Sequence, residues 1–169
     1  MTNTQLEQEH HTSPSQSPAS RKTLELLSVF VGRWTTEGHQ HEGMIGPAAA
    51  IVAEESYEWL AGEQFLVHRF DGHVGDGVAA CIEIIGHDAE TNTYPTRTYY
   101  NTGVVNEWRA TATERVWTLS GEWKLAKAIS VRCTTTVSHD GRSLSGKWEW
   151  ADASTAWQTF WDVTSTRVG

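Results

Sequence analysis

From Gly32 to the end of the chain, short apolar runs alternate with turns rich in Gly, Asp and Asn. Thr, Val, Trp and Tyr dominate the runs, which is typical of β-strands. No segment is long enough for the helix of a βαβ crossover, so we expect antiparallel strands that close into a barrel and leave no exposed edge. The runs predict ten strands: Arg33–Glu37, Ala50–Leu60, Gln64–Asp71, Val78–Ile85, Tyr94–Asn101, Val104–Thr111, Val116–Leu119, Ile129–Ser138, Ser143–Trp150 and Trp157–Arg167.

The segment before the strands has two other patterns. Leu24, Leu27 and Phe30 are spaced three apart, which predicts one or two helical turns over residues 23–31 that cover the base of the barrel. Residues 1–20 are polar and rich in Ser, Gln and Thr, a composition that predicts a disordered tail. The predicted organisation is therefore a tail over residues 1–20 and a single barrel domain over residues 22–169.

The last two runs alternate with period two, so each has one apolar face. Trp148 and Trp150 share such a face in the ninth run. Trp161 lies on one in the tenth run, where Phe160 falls on the opposite face. These tryptophans are predicted to point inward. They either line an aromatic lumen or fill the interior as packing, and the pattern favours neither.

Composition and charge exclude several classes of function. The net charge of −8 argues against binding to nucleic acid and to anionic membranes. The N-terminus has no basic start followed by an apolar stretch, so no signal peptide is predicted and a cytoplasmic location is expected. Cys81 and Cys133 fall inside predicted strands and fit reduced core thiols, with a disulfide as the alternative. No Cys/His cluster has zinc spacing, so no metal site is predicted.

Gly32-Arg33-Trp34 follows the helical segment, and Arg167 stands near the end of the chain. This combination resembles small up-and-down barrels of the lipocalin type. The resemblance implies that Trp34 closes the base and that Arg167 lies across its indole. With Tyr57-Glu58-Trp59 and Tyr99-Tyr100-Asn101-Thr102-Gly103 in the same order, residues 24–167 resemble an uncharacterised bacterial family of lipocalin-like (calycin) proteins, a domain of unknown function. That resemblance implies an all-β antiparallel barrel of about ten strands and no particular activity.

The same Gly-x-Trp is more distantly similar to haem-binding barrels of the nitrobindin type. Those proteins ligate haem through a histidine close to the C-terminus. Here the last run, Trp157 to the end, contains no histidine. No cofactor is therefore predicted, although this departure leaves open a ligand from another strand, such as His68.

Four polar residues of the middle strands are candidate ligand anchors. His68, if its side chain faces the cavity, would anchor a ligand or act as a general base. The alternatives are a core histidine that is hydrogen-bonded to a neighbour and a histidine on the outer face. Glu83 is favoured on the outer wall because a buried charge is costly. If it faces inward, its pKa would be raised and it would need an arginine partner such as Arg97. Arg97 and Tyr99 share a face. They suit an acidic or phenolic ligand if inward, or pair across strands on a solvent face if outward.

Three functions remain open. The first is binding of a small hydrophobic or aromatic molecule in a Trp-rich cavity, with these candidate contacts: His68, Glu83, Arg97, Tyr99, Trp148, Trp150 and Trp161. The second is a cofactor-independent cyclase, isomerase or hydrolase, which would require two ionisable groups converging inside the barrel. The third is a packed barrel that acts through its surface or as a homodimer, which an exposed apolar patch around Trp108 and Trp117 would favour. Trp117 and Trp123 lie near a turn and are expected to be the most exposed tryptophans.

Overall fold

The computed structural model describes residues 23–124 and 128–169, with only the backbone of Lys124. Ten antiparallel strands follow one another around a closed barrel, and β1 pairs with β10 to complete the ring. The all-β fold and its ten predicted strands are confirmed. The predicted tail over residues 1–20 lies outside the described residues. The strands are β1 Gly32–Gln40, β2 Ala49–Trp59, β3 Leu66–Val74, β4 Gly77–Ile85, β5 Tyr94–Tyr100, β6 Val105–Ala112, β7 Val116–Lys124, β8 Ala128–Val137, β9 Ser143–Ala151 and β10 Gln158–Arg167.

The largest difference from the predicted boundaries is in β7, which continues through Gly121 rather than ending at Leu119. Glycine weakens a strand locally, but here it is held by β6 on one side and β8 on the other. A side chain at Gly121 would begin 2.6 Å from Cε3 of Trp108, its neighbour on β6. The glycine therefore makes room for a buried indole, and the strand continues because its neighbours pair with it.

A helical turn at residues 23–25 runs into a 3₁₀ helix, Leu26–Val29, that covers one end of the barrel as predicted. Trp117 packs here between the rings of Phe30 and Tyr94 and is only 5% exposed, so its predicted exposure is wrong. The helix covers the turn end of β7, which is why a residue beside a turn is buried. None of the described helices is long and apolar enough to cross a membrane. The base cluster consists of Leu24, Leu27, Phe30, Trp34, Leu66, Tyr94, Ala110, Trp117, Val137 and Leu144.

Arg167 and Trp34 join the last strand, the first strand and the helix. The guanidinium carbon of Arg167 lies 4.2 Å from the centre of the Trp34 indole, the stack that the sequence predicts. The same guanidinium donates to the carbonyl oxygens of Val29, at 2.7 Å, and Val31. The Trp34 N–H donates to the Phe30 carbonyl at 2.7 Å. Carbonyls that the helix end leaves without partners are thus satisfied by residues of the barrel wall.

At the other end of the barrel, an aromatic cluster extends across β6–β10. A register shift between Thr159 and Trp161 in β10 turns both Phe160 and Trp161 inward, and Phe160 is 2% exposed. The predicted outward position of Phe160 is therefore wrong, because a bulge interrupts the period of two. Trp108 is 4% exposed, so an exposed patch around Trp108 and Trp117 is also wrong. The aromatic cluster consists of Trp108, Trp123, Trp148, Trp150, Phe160 and Trp161, packed with Ile129 and Val131.

Candidate functional site

The lumen contains a cavity of about 580 Å³ above the base cluster. This volume is typical of sites for small molecules. Apolar and aromatic side chains form most of its wall, among them Phe70, Tyr100, Trp123, Trp148 and Trp161. Of the tryptophans predicted as ligand contacts, Trp148 and Trp161 line the cavity. Trp150 instead packs within the aromatic cluster and is not among the lining residues.

Three ionisable side chains converge on the wall formed by β2, β3 and β4. His68 lies at the centre of what we call the carboxylate–histidine triad (Glu55, His68 and Glu83). Its Nδ1 is 2.7 Å from Oε2 of Glu83, and its Nε2 is 2.8 Å from Oε2 of Glu55. The side chains of His68 and Glu55 are each 8% exposed and that of Glu83 is 16% exposed. All three line the cavity.

Strand pairing explains this convergence. His68 on β3 lies directly opposite Glu83 on β4 and opposite Tyr57 on β2. Glu55 is two residues from Tyr57 and shares its inward face. The three strands therefore bring the carboxylates to the two sides of one imidazole ring.

The triad has a definite charge state. Burial opposes a charge on His68, but hydrogen bonds to the two carboxylates, together with their charges, raise the pKa of His68 to about 9. Burial alone would raise the pKa of Glu55 and of Glu83. The hydrogen bond and the positive charge of His68 outweigh it and hold both pKa values below the ordinary value. At neutral pH the triad is two carboxylates around one imidazolium, with a net charge of −1.

Glu55 has a full set of hydrogen-bond donors. Thr36 donates to its Oε1, and the Ser165 hydroxyl lies 3.3 Å from the same oxygen. Its Oε2 accepts from His68 and, at 3.3 Å, from the Tyr57 hydroxyl. Burial and the two carboxylate charges raise the pKa of Tyr57 well above its ordinary value, so the phenol stays a donor. Glu55 is thereby fixed in position from β1, β2, β3 and β10.

Glu83 has fewer donors. Its Oε1 accepts from the Thr98 hydroxyl at 2.7 Å, and its Oε2 accepts from His68. Thr98 is fully buried and is itself held by the Trp108 indole N–H at 3.0 Å. A carboxylate has about four acceptor sites, so Glu83 keeps acceptor capacity toward the cavity.

Several predicted positions are corrected by the structure. Glu83 faces the lumen rather than the outer wall, its pKa is lowered rather than raised, and its partner is His68 rather than an arginine. Arg97 and Tyr99 lie on the outer wall, where Arg97 pairs with Glu107 and Tyr99 is 44% exposed. Alternation along β5 turns its threonines and the other tyrosines inward instead. A ligand in the lumen would therefore not touch Arg97 or Tyr99.

Glu55 was not predicted from the sequence, although a signal was present. Glu54 and Glu55 are consecutive in a strand, so one of them must share the inward face of Ile51 and Ala53. The structure places Glu54 outside, where its side chain is 76% exposed, and Glu55 inside.

Metal-ligand geometry is absent from the described part of the chain: no three His, Cys, Asp or Glu side chains there are arranged to hold an ion. The triad has the right residue types, but both imidazole nitrogens are directed at carboxylate oxygens. Cys81 and Cys133 both line the cavity as free thiols. Burial raises the pKa of Cys133 to about 12, although a hydrogen bond with Thr135 partly opposes this shift.

Comparison with known proteins gives a family and a fold. A family model described as "Protein of unknown function (DUF1579)" matches residues 19–159. No curated protein matches the chain. Among solved structures, the chain is similar to the crystal structure of Rv2717c from M. tuberculosis, with 16% sequence identity and a TM-score of 0.67 over 92% of this chain and 100% of that chain. At this identity the similarity shows the fold alone.

Proposed function

The chain belongs to the DUF1579 family of proteins of unknown function, and we propose that its barrel binds a small, flat, largely apolar molecule in the lumen. One observation carries this proposal. The cavity of about 580 Å³ joins an aromatic wall to a single compact set of charged groups. Mostly apolar walls with a few convergent polar groups are the usual composition of a ligand site.

The two parts of the wall have different roles in this proposal. Transfer of apolar ligand surface from water contributes roughly 25 cal/mol per Å². The rings of Trp148 and Trp161 select flat molecules by stacking. Trp117 also lines the cavity, but its indole N–H is buried and has no hydrogen-bond acceptor among the described residues. The triad supplies the charged anchor.

A cofactor-independent enzyme is the second candidate, because ionisable groups do converge in the lumen as that function requires. The protonation states favour binding over catalysis. Carboxylates with lowered pKa values are weak bases, and the imidazolium already donates both ring protons. A bound molecule recovered unchanged from the protein would support binding, and recovery of a converted product would support an enzyme.

Haem binding of the nitrobindin type, which the sequence argues against, would need a histidine nitrogen free to ligate iron. Both nitrogens of His68 are bonded to carboxylates. An absorption spectrum of the purified protein tests this, since bound haem gives a Soret band.

We also propose a cytoplasmic location. The free thiols of Cys81 and Cys133 fit a reducing compartment.

The lumen can be narrowed without altering the outer wall. Cys81 points into the cavity beside Phe70 and Tyr100, so Cys81→Phe would place a ring in the lumen and reduce the space for a ligand. The next residue, Ile82, is on the outer face and 38% exposed, and Ile82→Phe is the matched control. Binding is measured with N-phenyl-1-naphthylamine, a neutral flat probe whose fluorescence rises in apolar sites, and by native mass spectrometry.

We expect saturable binding of equal affinity by the wild type and by Ile82→Phe, and clearly weaker binding by Cys81→Phe. A cooperative thermal unfolding transition would show that the Cys81→Phe variant is folded. If Cys81→Phe bound the probe as tightly as Ile82→Phe does, the probe would bind outside the lumen. That result, or no binding by the wild type, would refute the proposed function.

A further inference from the structure

The charges that face the cavity do not cancel. Of the residues described as lining it, only those of the triad carry a charge at neutral pH, and no Lys or Arg is among them. Burial raises the pKa values of the lining tyrosines and cysteines, which therefore stay neutral: Tyr57, Tyr100, Cys81 and Cys133. Two carboxylates and one imidazolium leave one negative charge in the lumen without a partner among the described lining residues.

Glu83 is the group where this excess charge meets the cavity. Each of its oxygens accepts one hydrogen bond, from Thr98 and from His68. Glu55, by contrast, accepts at both oxygens from Thr36, Tyr57 and His68, with Ser165 also in reach. The Glu83 side chain is also twice as exposed as that of Glu55, 16% against 8%.

The aromatic wall also favours a positively charged ligand. The triad lies on β2–β4, and the aromatic cluster lies on β6–β10, a different arc of the strand ring. Trp123, Trp148 and Trp161 reach the cavity from that arc. The face of an indole attracts cations as well as flat apolar groups. A ligand held between the arcs therefore meets a carboxylate at one end and indoles at the other.

We propose that the ligand is an organic cation, whose ammonium or amidinium group donates hydrogen bonds to Glu83 while its flat apolar body packs against the tryptophans. This inference rests on the proposed binding function and names the class of molecule. An ammonium or amidinium group supplies both the positive charge and the donors that Glu83 lacks. A carboxylate or phosphate ligand would meet the same site with charge repulsion.

Three probes of one shape separate charge from apolar contact: 2-naphthylmethylammonium, 2-naphthalenemethanol and 2-naphthoate. Isothermal titration calorimetry of the wild type is expected to show the ammonium binding about tenfold or more tighter than the alcohol, which corresponds to one charge-assisted hydrogen bond. The carboxylate is expected to bind most weakly. Glu83→Gln should weaken binding of the ammonium about tenfold and that of the alcohol much less, and saturable binding of the alcohol shows that the lumen of the variant is intact.

Glu54→Gln is the matched control, because it removes the same charge from the outer wall. It is expected to leave all three affinities unchanged. Equal loss of ammonium binding in both variants would mean a general attraction to an acidic protein, and would overturn the role of Glu83. Equal affinity of the wild type for ammonium and alcohol would overturn the cationic ligand while leaving the binding function in place. The Cys81→Phe comparison tests that function separately.

Discussion

The phenol ring of Tyr57 lies flat on the imidazole ring of His68, with centroids 4.0 Å apart and planes at 3°. The two residues are direct partners across β2 and β3. Tyr57 covers one face of the imidazole and donates from its hydroxyl to Glu55. The face of the Tyr57 ring favours a cation, and Glu55 accepts a hydrogen bond from Nε2 of His68. Tyr57 therefore helps to keep His68 both fixed and protonated.

The first prediction concerns stability against pH. The pKa of His68 is about 9 in the folded chain and near 6.5 when the chain is unfolded. A group whose pKa is raised on folding stabilises the folded state fully at pH values below its unfolded pKa. This stabilisation is lost as the pH rises through the folded pKa. We expect the free energy of unfolding to fall by about 3 kcal/mol between pH 6.5 and about 9.

Urea denaturation at a series of pH values measures this fall. The neighbouring Tyr57 and Cys81 have raised pKa values, so they add a loss only above their ordinary values of 10.0 and 9.0. The carboxylates have lowered pKa values and lose their contribution as pH falls below 4.5. Constant stability between pH 6.5 and 9 would show that His68 is not held as an imidazolium.

A second prediction compares two tryptophans that lie under arginines in the same geometry. Arg167 is 4.2 Å from the ring of Trp34, and Arg132 is 4.2 Å from that of Trp157. Trp34 is 1% exposed and Trp157 is 40% exposed. Trp34→Ala should therefore cost about 3–5 kcal/mol of stability, and Trp157→Ala about 1 kcal/mol. Similar losses in chemical denaturation would contradict the closure of the base by Trp34.

The bulge in β10 gives a third prediction. Strict alternation would leave Phe160 outside, whereas the register shift buries it against Trp123 and Trp148. Phe160→Ala should cost about 3–5 kcal/mol, while Gln158→Ala, on an exposed neighbour, should change stability by less than about 0.5 kcal/mol. Measured by urea denaturation, a small loss for Phe160→Ala would indicate that the strand keeps its alternation.

The ten strands could be predicted because the pattern that identifies each of them is local. Turns and period-two alternation require no knowledge of neighbouring strands. The end of β7 was missed because pairing on both sides, and not its own residues, carries it through Gly121. The inward turn of Phe160 was missed because a bulge depends on the neighbouring strand.

The site was harder to predict because its inward face is polar. Alternation assigns faces only where one face is apolar, and in β5 the inward positions include Thr96 and Thr98. The sequence of β5 alone therefore does not show whether Thr96 and Thr98 or Arg97 and Tyr99 point inward. The outer wall is the predicted position of Glu83 because an unpaired buried charge is costly. In the structure Glu83 is paired, since His68 lies directly opposite it on β3. That pairing depends on the register of β3 against β4, which single residues do not reveal.

The sharpest test of the triad removes its cation. In His68→Gln the two carboxylates face each other without a positive charge, so one must take up a proton and its pKa rises above 4.5. We expect a loss of about 3–5 kcal/mol at neutral pH. This loss should shrink as the pH falls toward the pKa values of the carboxyl groups. A carboxyl group whose pKa is raised on folding stabilises the folded state fully only at pH values below its unfolded pKa. His73→Gln, on the exposed face of the same strand, should leave the pH profile of urea denaturation unchanged. A pH-independent loss in His68→Gln would mean that His68 contributes packing and not charge.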